Sequence, residues 1–388
     1  MIERNAKKRL EYLFQLFKIV AVTGPRQSGK TTLVRSSFPN KPYVNFEDPE
    51  TRQYAIEDPK GFLSNYKQGA VFDEVQRVPD IFSYLQLIVD EKKASGQFIL
   101  TGSNNLLLNQ HISQSLAGRI AFLNLLPFSY QEIKDSYGDK ESNIYLFQGM
   151  YPAIYDQQIP PNEWYPNYIR TYIERDVRQI KNITDLLVFE KFMRLLAGRT
   201  GQELNYSSLS VEVGVDVKTI QSWIGILESS YIIYLLKPFH KNYNKTIVKR
   251  PKIYFIDTGL ASSLLNLSTL DHISNHPLRG ALFETLVISE VLKYNFNNGE
   301  PLRLYYWRDK TGREIDLIIE KGLNIIPIEI KSTQTIQKDF FKHIKYWMKL
   351  SGANAATLLY DGDQQQKYSN GIVVHNWKLF QQNPFGSS

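Results

Sequence analysis

The chain has 388 residues, no cysteine and a formal net charge of +7, with 43% hydrophobic and 22% charged residues. That length and apolar content suit two or three packed domains, and the absence of cysteine excludes disulfides and thiolate metal sites. No apolar run is long enough to span a bilayer and Met1-Ile2-Glu3-Arg4 is not followed by a signal-peptide core, so a soluble, cytoplasmic protein without membrane contact is expected.

Leu10, Leu13, Phe14 and Phe17 recur at helical spacing over residues 1–17, which predicts a helix packed on the strand that follows. The run Val20-Ala21-Val22-Thr23 then breaks into Gly24-Pro25-Arg26-Gln27-Ser28-Gly29-Lys30-Thr31-Thr32, which reads as a phosphate-binding P-loop opening a helix at Lys30. Gly24 and Gly29 allow torsions that a side chain forbids, so successive amides can curl round a phosphate. Lys30 reaches the β- and γ-phosphates, and the Thr31 hydroxyl holds Mg²⁺. Tyr43-Val44-Asn45-Phe46 predicts a second strand. Gly69-Ala70-Val71-Phe72-Asp73-Glu74 predicts a third, delivering two carboxylates at its end in the Walker B pattern. Asp73 is the expected Mg²⁺ ligand through water, and Glu74 the residue that orients and deprotonates an attacking water.

A further buried strand ends at Thr101-Gly102-Ser103-Asn104, where Ser103 or Asn104 either senses a γ-phosphate or merely forms a turn. Ser115-Leu116-Ala117-Gly118-Arg119 leads into a strand at 120–125. Arg119 is either an ordinary surface residue or an arginine finger, acting in its own subunit or on a neighbour in a homo-oligomer. Strands alternating with helices predict an α/β fold with a mostly parallel sheet over residues 1–127.

Residues 128–185 are aromatic and helical, punctuated by Gly149-Met150-Tyr151-Pro152, and are expected to form a lid. Over 186–256, helix, Gly214-containing turn, helix and strand suggest a winged helix-turn-helix. Asp216 caps the second helix, which presents Lys218, Thr219 and Gln221. His240, Lys241, Lys245, Lys249, Arg250 and Lys252 form a basic wing for DNA phosphates, unless the module serves as a packing or protein-binding element.

In residues 257–388, a helix over 280–294 carries Glu284 on its apolar side. If the hairpin that follows centres on Gly322 and Leu323, Asp316 lies opposite Glu329, and Lys331 shares the face of Glu329. Facing carboxylates suit a divalent cation, and Lys331 then positions or deprotonates a water; the plainer alternative is a strand salt bridge.

Taken together, these motifs resemble a prokaryotic family of AAA+-type, STAND-like ATPases that carry a C-terminal restriction-endonuclease-like domain. The resemblance covers nearly the whole chain. It implies ATP binding and hydrolysis at Lys30, Thr31, Asp73 and Glu74, with Mg²⁺. It also implies a winged helix in the middle and a nuclease-like end at Glu284, Asp316, Glu329 and Lys331; the first reading is then a DNA-directed ATPase whose nucleotide state controls a Mg²⁺-dependent nuclease domain. Gly149-Met150 departs from the paired glycines expected of that family. The competing reading is a regulatory switch whose distal domains only bind a partner.

Overall fold

The computed structural model describes residues 2–91, 94–102, 115–173, 185–239, 250–300 and 303–380. Its first strand, β1 (Ile19–Thr23), is buried at every position because its apolar run is covered on both faces. Ile19 and Ala21 enter one core with Phe46, Phe72, Phe98 and Leu100. Val20 and Val22 enter a second core, with Leu10 and Leu13 of the Lys7–Leu16 helix and Leu33 and Val34 of the Lys30–Ser37 helix.

Around β1 stand β2 (Tyr43–Asn45), β3 (Val71–Asp73), β4 (Phe98–Thr101) and β5 (Ile120–Asn124), each close to its predicted place. The order is β2-β3-β4-β1-β5 and every pairing is parallel. The expected parallel α/β sheet is therefore present. All its strands end on one edge, which brings the loops after β1, β3 and β4 together. This unit comprises Met1–Phe128 with Ser229–Tyr231 and Phe296–Gly299.

The second unit takes Ser129–Glu228, Ile232–Asn295 and Glu300–Ser388. Its sheet collects β6 (Ile233–Pro238), β7 (Lys252–Phe255), β8 (Arg303–Arg308), β9 (Glu314–Lys321), β10 (Asn324–Lys331), β11 (Ala356–Tyr360), β12 (Gln366–Lys367) and β13 (Ile372–Asn376). The order is β12-β13-β11-β10-β9-β8-β6-β7. Helices over Leu186–Ala197, Tyr206–Val213 and Val217–Ser229 precede β6, with Phe189 and Phe192 packed 5.1 and 5.2 Å from Trp223. The Asp216 carboxylate accepts from the Thr219 amide at 2.9 Å, and Lys218 and Gln221 are exposed.

One expectation is corrected here. β6 pairs with β7 and also in parallel with β8, so the hairpin belongs to the large sheet. Lys252, expected on a solvent-facing wing, is 2% exposed because this sheet and its helix cover it. Arg250 is exposed, whereas His240, Lys241, Lys245 and Lys249 lie outside the described residues.

Three buried carboxylates build residues 129–173 into the same unit. Asp257 accepts from the Met150 amide at 2.6 Å and the Tyr165 hydroxyl at 2.7 Å. Glu290 accepts from the Tyr130 amide at 2.8 Å, and Asp361 from the Ser142 hydroxyl at 2.6 Å. Among the described residues, no helix is long and apolar enough to cross a membrane.

Candidate functional site

The loop after β1 is shaped by its glycines. Gly24 has φ +145, and a Cβ there would lie 2.1 Å from the Leu125 carbonyl oxygen, so no larger residue fits. Gly29, left-handed at φ 91, turns the chain into the Lys30–Ser37 helix, whose first amides and dipole face the loop. Arg4 holds the loop from beneath: its guanidinium donates to Ser28 O at 2.6 Å and Leu126 O at 2.7 Å and lies over Phe128. The sequence offers no signal for this role beyond a lone basic residue ahead of the first helix.

Lys30 is nearly buried and donates to the carbonyls of Gly24 at 3.0 Å and Pro25 at 2.8 Å, at the same turn. Thr31 and Asp73 meet directly: the Thr31 hydroxyl donates to Asp73 Oδ2 at 2.7 Å. Tyr43 donates to the same oxygen at 2.5 Å, and Thr101 donates to Oδ1. Burial, and then the Asp73 carboxylate, hold the Tyr43 phenol well above its ordinary range, which keeps it a donor. Tyr43 opens β2 and Thr101 closes β4, and the strand order that sets β3 between them lets both side chains reach Asp73.

Glu74 follows in a left-handed conformation, φ 54 and ψ 41, and accepts from Gln76 Nε2 at 2.5 Å. A glutamate held there carries backbone strain. Hydroxyl and carboxylate oxygens side by side are the hard donors that Mg²⁺ takes, so Thr31 and Asp73 fit that ion, and the glycine-framed amides fit a phosphate.

Arg119 is not brought to this edge. It precedes β5, whose Ile120 pairs with Ile19 at the opposite end of β1, about 13 Å of strand away at about 3.3 Å per residue. There it grips Asp90 through two nitrogens at 2.6 and 2.8 Å, an exposed pair. The strand direction thus sets it apart from the P-loop of its own subunit. Ser103 and Asn104 lie outside the described residues.

In the second unit, β9 and β10 form the expected hairpin, with Leu317 opposite Ile328 and hence Asp316 level with Glu329. Asp316 accepts from the Ile330 amide at 2.8 Å. Lys331 lies 2.7 Å from Glu329 and 3.7 Å from Asp316. Burial and the neighbouring Asp316 push the Glu329 carboxyl up to about 8. Its Oε2 is buried without a hydrogen-bond partner, so an oxygen is available to a cation there. Burial disfavours the charge on Lys331, but Asp316 and Glu329 outweigh it and hold the ammonium above the usual lysine range.

Glu284 enters from the Arg279–Asn298 helix, but its Oε1 is taken by Lys252 at 3.2 Å and by the Tyr254 hydroxyl at 2.5 Å. Burial pushes its carboxyl up to about 7. Asp316 and Glu329 therefore fit a divalent ion as a pair. Among the described residues, no three acidic or histidine side chains are gathered closely enough to hold one.

Residues 16–134 match the family described as AAA domain. Residues 139–271 match a domain of unknown function (DUF8612), and residues 279–380 another (DUF4143). An uncharacterized protein of Mycobacterium tuberculosis is 29% identical over 334 residues, spanning 86% of this chain and 74% of its own length. An uncharacterized protein of Haemophilus influenzae is 24% identical over 385 residues, spanning 87% and 90%. Among solved structures, a Walker-type ATPase of Pyrococcus abyssi gives a TM-score of 0.44 at 15% identity, covering 68% of this chain and 96% of its own. Loop geometry and family match together make residues 16–134 an AAA-type P-loop ATPase domain.

Proposed function

We propose that this chain binds and hydrolyses ATP with Mg²⁺, and that nucleotide state governs a second unit acting on DNA. The observation that carries the first half is the 2.7 Å contact of Thr31 with Asp73 beside the Gly24–Gly29 loop. When bound, Mg²⁺ supplies positive charge against the transferring phosphate. The chain's own work is positional. The loop amides from Gly24 to Thr32 cradle the phosphates, and Lys30 turns from the Gly24 and Pro25 carbonyls toward the β- and γ-oxygens. Thr31 and Asp73 present oxygens, Tyr43 and Thr101 fix the Asp73 rotamer, and Glu74 takes the proton of an attacking water. Ser103 or Asn104 reads the γ-phosphate; Arg119, paired with Asp90 away from its own P-loop, is either an ordinary surface residue or a finger for a neighbouring subunit.

Nucleotide-binding and turnover assays test this. Lys30→Ala should lose ATP affinity and turnover together, while Glu74→Gln should keep affinity and lose about 100-fold or more in kcat. Binding of ATP by Lys30→Ala at full strength would overturn the reading.

For the second unit, the helices Tyr206–Val213 and Val217–Ser229, with Lys218 and Gln221 exposed, and the exposed Arg250 support DNA contact, and Asp316, Glu329 and Lys331 support a restriction-endonuclease-like centre using Mg²⁺. The Lys252 and Tyr254 contacts to Glu284 favour a second reading, in which these domains bind a nucleic acid or protein partner without cutting. Incubation with duplex and single-stranded DNA, Mg²⁺ and ATP separates the two. Cleavage lost in Asp316→Ala and Lys331→Ala supports the nuclease, and intact DNA throughout supports the switch.

A further inference from the structure

From Lys331 to Leu350 the chain carries five lysines against one acid, Asp339, whereas the whole chain has 46 basic and 39 acidic residues, nearly balanced. Lys338 lies in the turn Lys338–Phe340, and Lys342, Lys345 and Lys349 lie in the helix Phe341–Ser351 that follows. Phe341, Ile344 and Trp347 bury one side of this helix in the core that holds Ile315 and Ile318 of β9 and Leu358 of β11. All four lysines are exposed. Positions 342, 345 and 349 are three and four apart, so they form one stripe, and like charges at that spacing repel. A solvated helix face usually mixes the two signs, but among the described residues none of these four lysines forms an ion pair. The stripe starts beside the acidic group described above: the Phe340 ring lies 5.9 Å from the Lys331 ammonium. Arg313 flanks it from the turn before β9, its guanidinium 4.2 Å from the Tyr346 ring, although it also meets Asp309 at 3.6 Å.

Lys342 and Lys349 are seven residues apart, about 10 Å of helix, the length over which one strand of a duplex presents about three phosphates. A protein partner would need an apolar centre to the patch and a membrane an apolar face to take in, and here the apolar face is committed to the core. We propose that Lys342, Lys345 and Lys349, led by Lys338, form a track for the phosphate backbone of duplex DNA that delivers a strand to Asp316, Glu329 and Lys331. This deepens the reading of the second unit as DNA-binding and rests on it, but on a helix that reading does not use. Its contacts are with phosphates alone, so binding along the track is independent of base sequence and sensitive to salt.

The test follows the fluorescence anisotropy of a short labelled duplex bound by the full chain in EDTA, with and without ATP, as salt is raised. The triple variant Lys342→Gln, Lys345→Gln, Lys349→Gln should make the slope of log K against log salt shallower by about 2 to 3, and weaken binding about tenfold or more at ~0.1 M salt. The matching triple variant Lys342→Arg, Lys345→Arg, Lys349→Arg should keep the wild-type slope. Glutamine is as good a helix former as lysine and ends the repulsion, so the Tm should not fall. Should it fall, the single Gln variants decide, each taking about 0.9 from the slope. Duplex binding that keeps its wild-type slope in the Gln variants, or loses it in the Arg variant as well, overturns the track and leaves the DNA reading standing. A wild type that binds no duplex removes the DNA reading, and the track with it. Binding to phosphatidylserine vesicles that the Gln variant loses, with duplex binding unchanged, makes the stripe a membrane contact and overturns the proposal.

Discussion

Gly149 stands at φ +64, and a Cβ added there would lie 2.0 Å from the Tyr165 hydroxyl and 2.4 Å from an Asp257 carboxylate oxygen. Its ψ of −159 places it in a region that side chains almost never occupy. Asp257 is the hub: it accepts from Met150, Tyr165 and the Leu260 amide at 2.9 Å, and burial holds its carboxyl above the usual range. Gly149→Ala must break this hub as well as strain the backbone, and we expect it to cost about 3 kcal/mol or more. Gly214→Ala makes the control. It is also left-handed, at φ +89, but nothing lies within 4 Å of its added Cβ, and about 1 kcal/mol is expected. Urea denaturation of the two variants checks the difference, and equal midpoints would remove Asp257 from the account. The same geometry explains why a single glycine suffices where a pair was expected. Met150 contributes an amide to Asp257 and a buried side chain, and neither task needs a glycine.

The β9–β10 hairpin shows what an element makes of carboxylates that individually look ordinary. Burial and Asp316 push Glu329 up to about 8, and burial pushes Glu284 up to about 7, both above the ordinary glutamate value that the unfolded chain retains. The folded state therefore holds protons that the unfolded state has released. The resulting stability is fully present below the unfolded value near 4.5 and is lost as pH rises through about 7 to 8. In metal-free buffer, melting temperature should fall between pH 6 and pH 9, and Glu329→Gln should flatten that slope by on the order of 2 kcal/mol of stability. A Gln variant with the wild-type slope would mean that Glu329 is already charged near neutrality. This register was legible in the sequence because Gly322 fixes the turn and two-residue alternation fixes the faces, both local facts. Lys252 was not legible. Its burial follows from the β6–β8 pairing of Lys237 with Tyr305, far apart in the chain, and from its local run it reads as one more lysine in a basic stretch. The P-loop was legible for the same local reason as the hairpin, whereas Tyr43 and Thr101 enter the site only through the strand order, and Arg4 only through long-range contacts with the Ser28 and Leu126 carbonyls.

At the scale of the molecule, chain continuity offers the route by which nucleotide state could act beyond the P-loop. Ser229–Tyr231 belongs to the first unit, while the residues on either side of it, up to Glu228 and from Ile232, belong to the second. Tyr231 is left-handed at φ 55, a strained conformation for a side-chain-bearing residue. Its hydroxyl donates to Asn124 Oδ1 at 2.7 Å, the oxygen that also accepts from Thr23 at 2.7 Å, one residue before Gly24. If nucleotide binding shifts Thr23, the shared Asn124 oxygen is the atom through which Tyr231, between the Val217–Ser229 helix and β6, would be disturbed. Coupling of this kind must be reciprocal and must run through an element that both sites bias. Hydrogen exchange of the Glu74→Gln chain with and without ATP and Mg²⁺ should show new protection in the loop at 24–32 and altered protection over 217–238. Adding Tyr231→Phe should preserve the first change and diminish the second. If both persist unaltered, Asn124 and Tyr231 carry no coupling, and nucleotide state must reach the second unit by some path other than this strained turn.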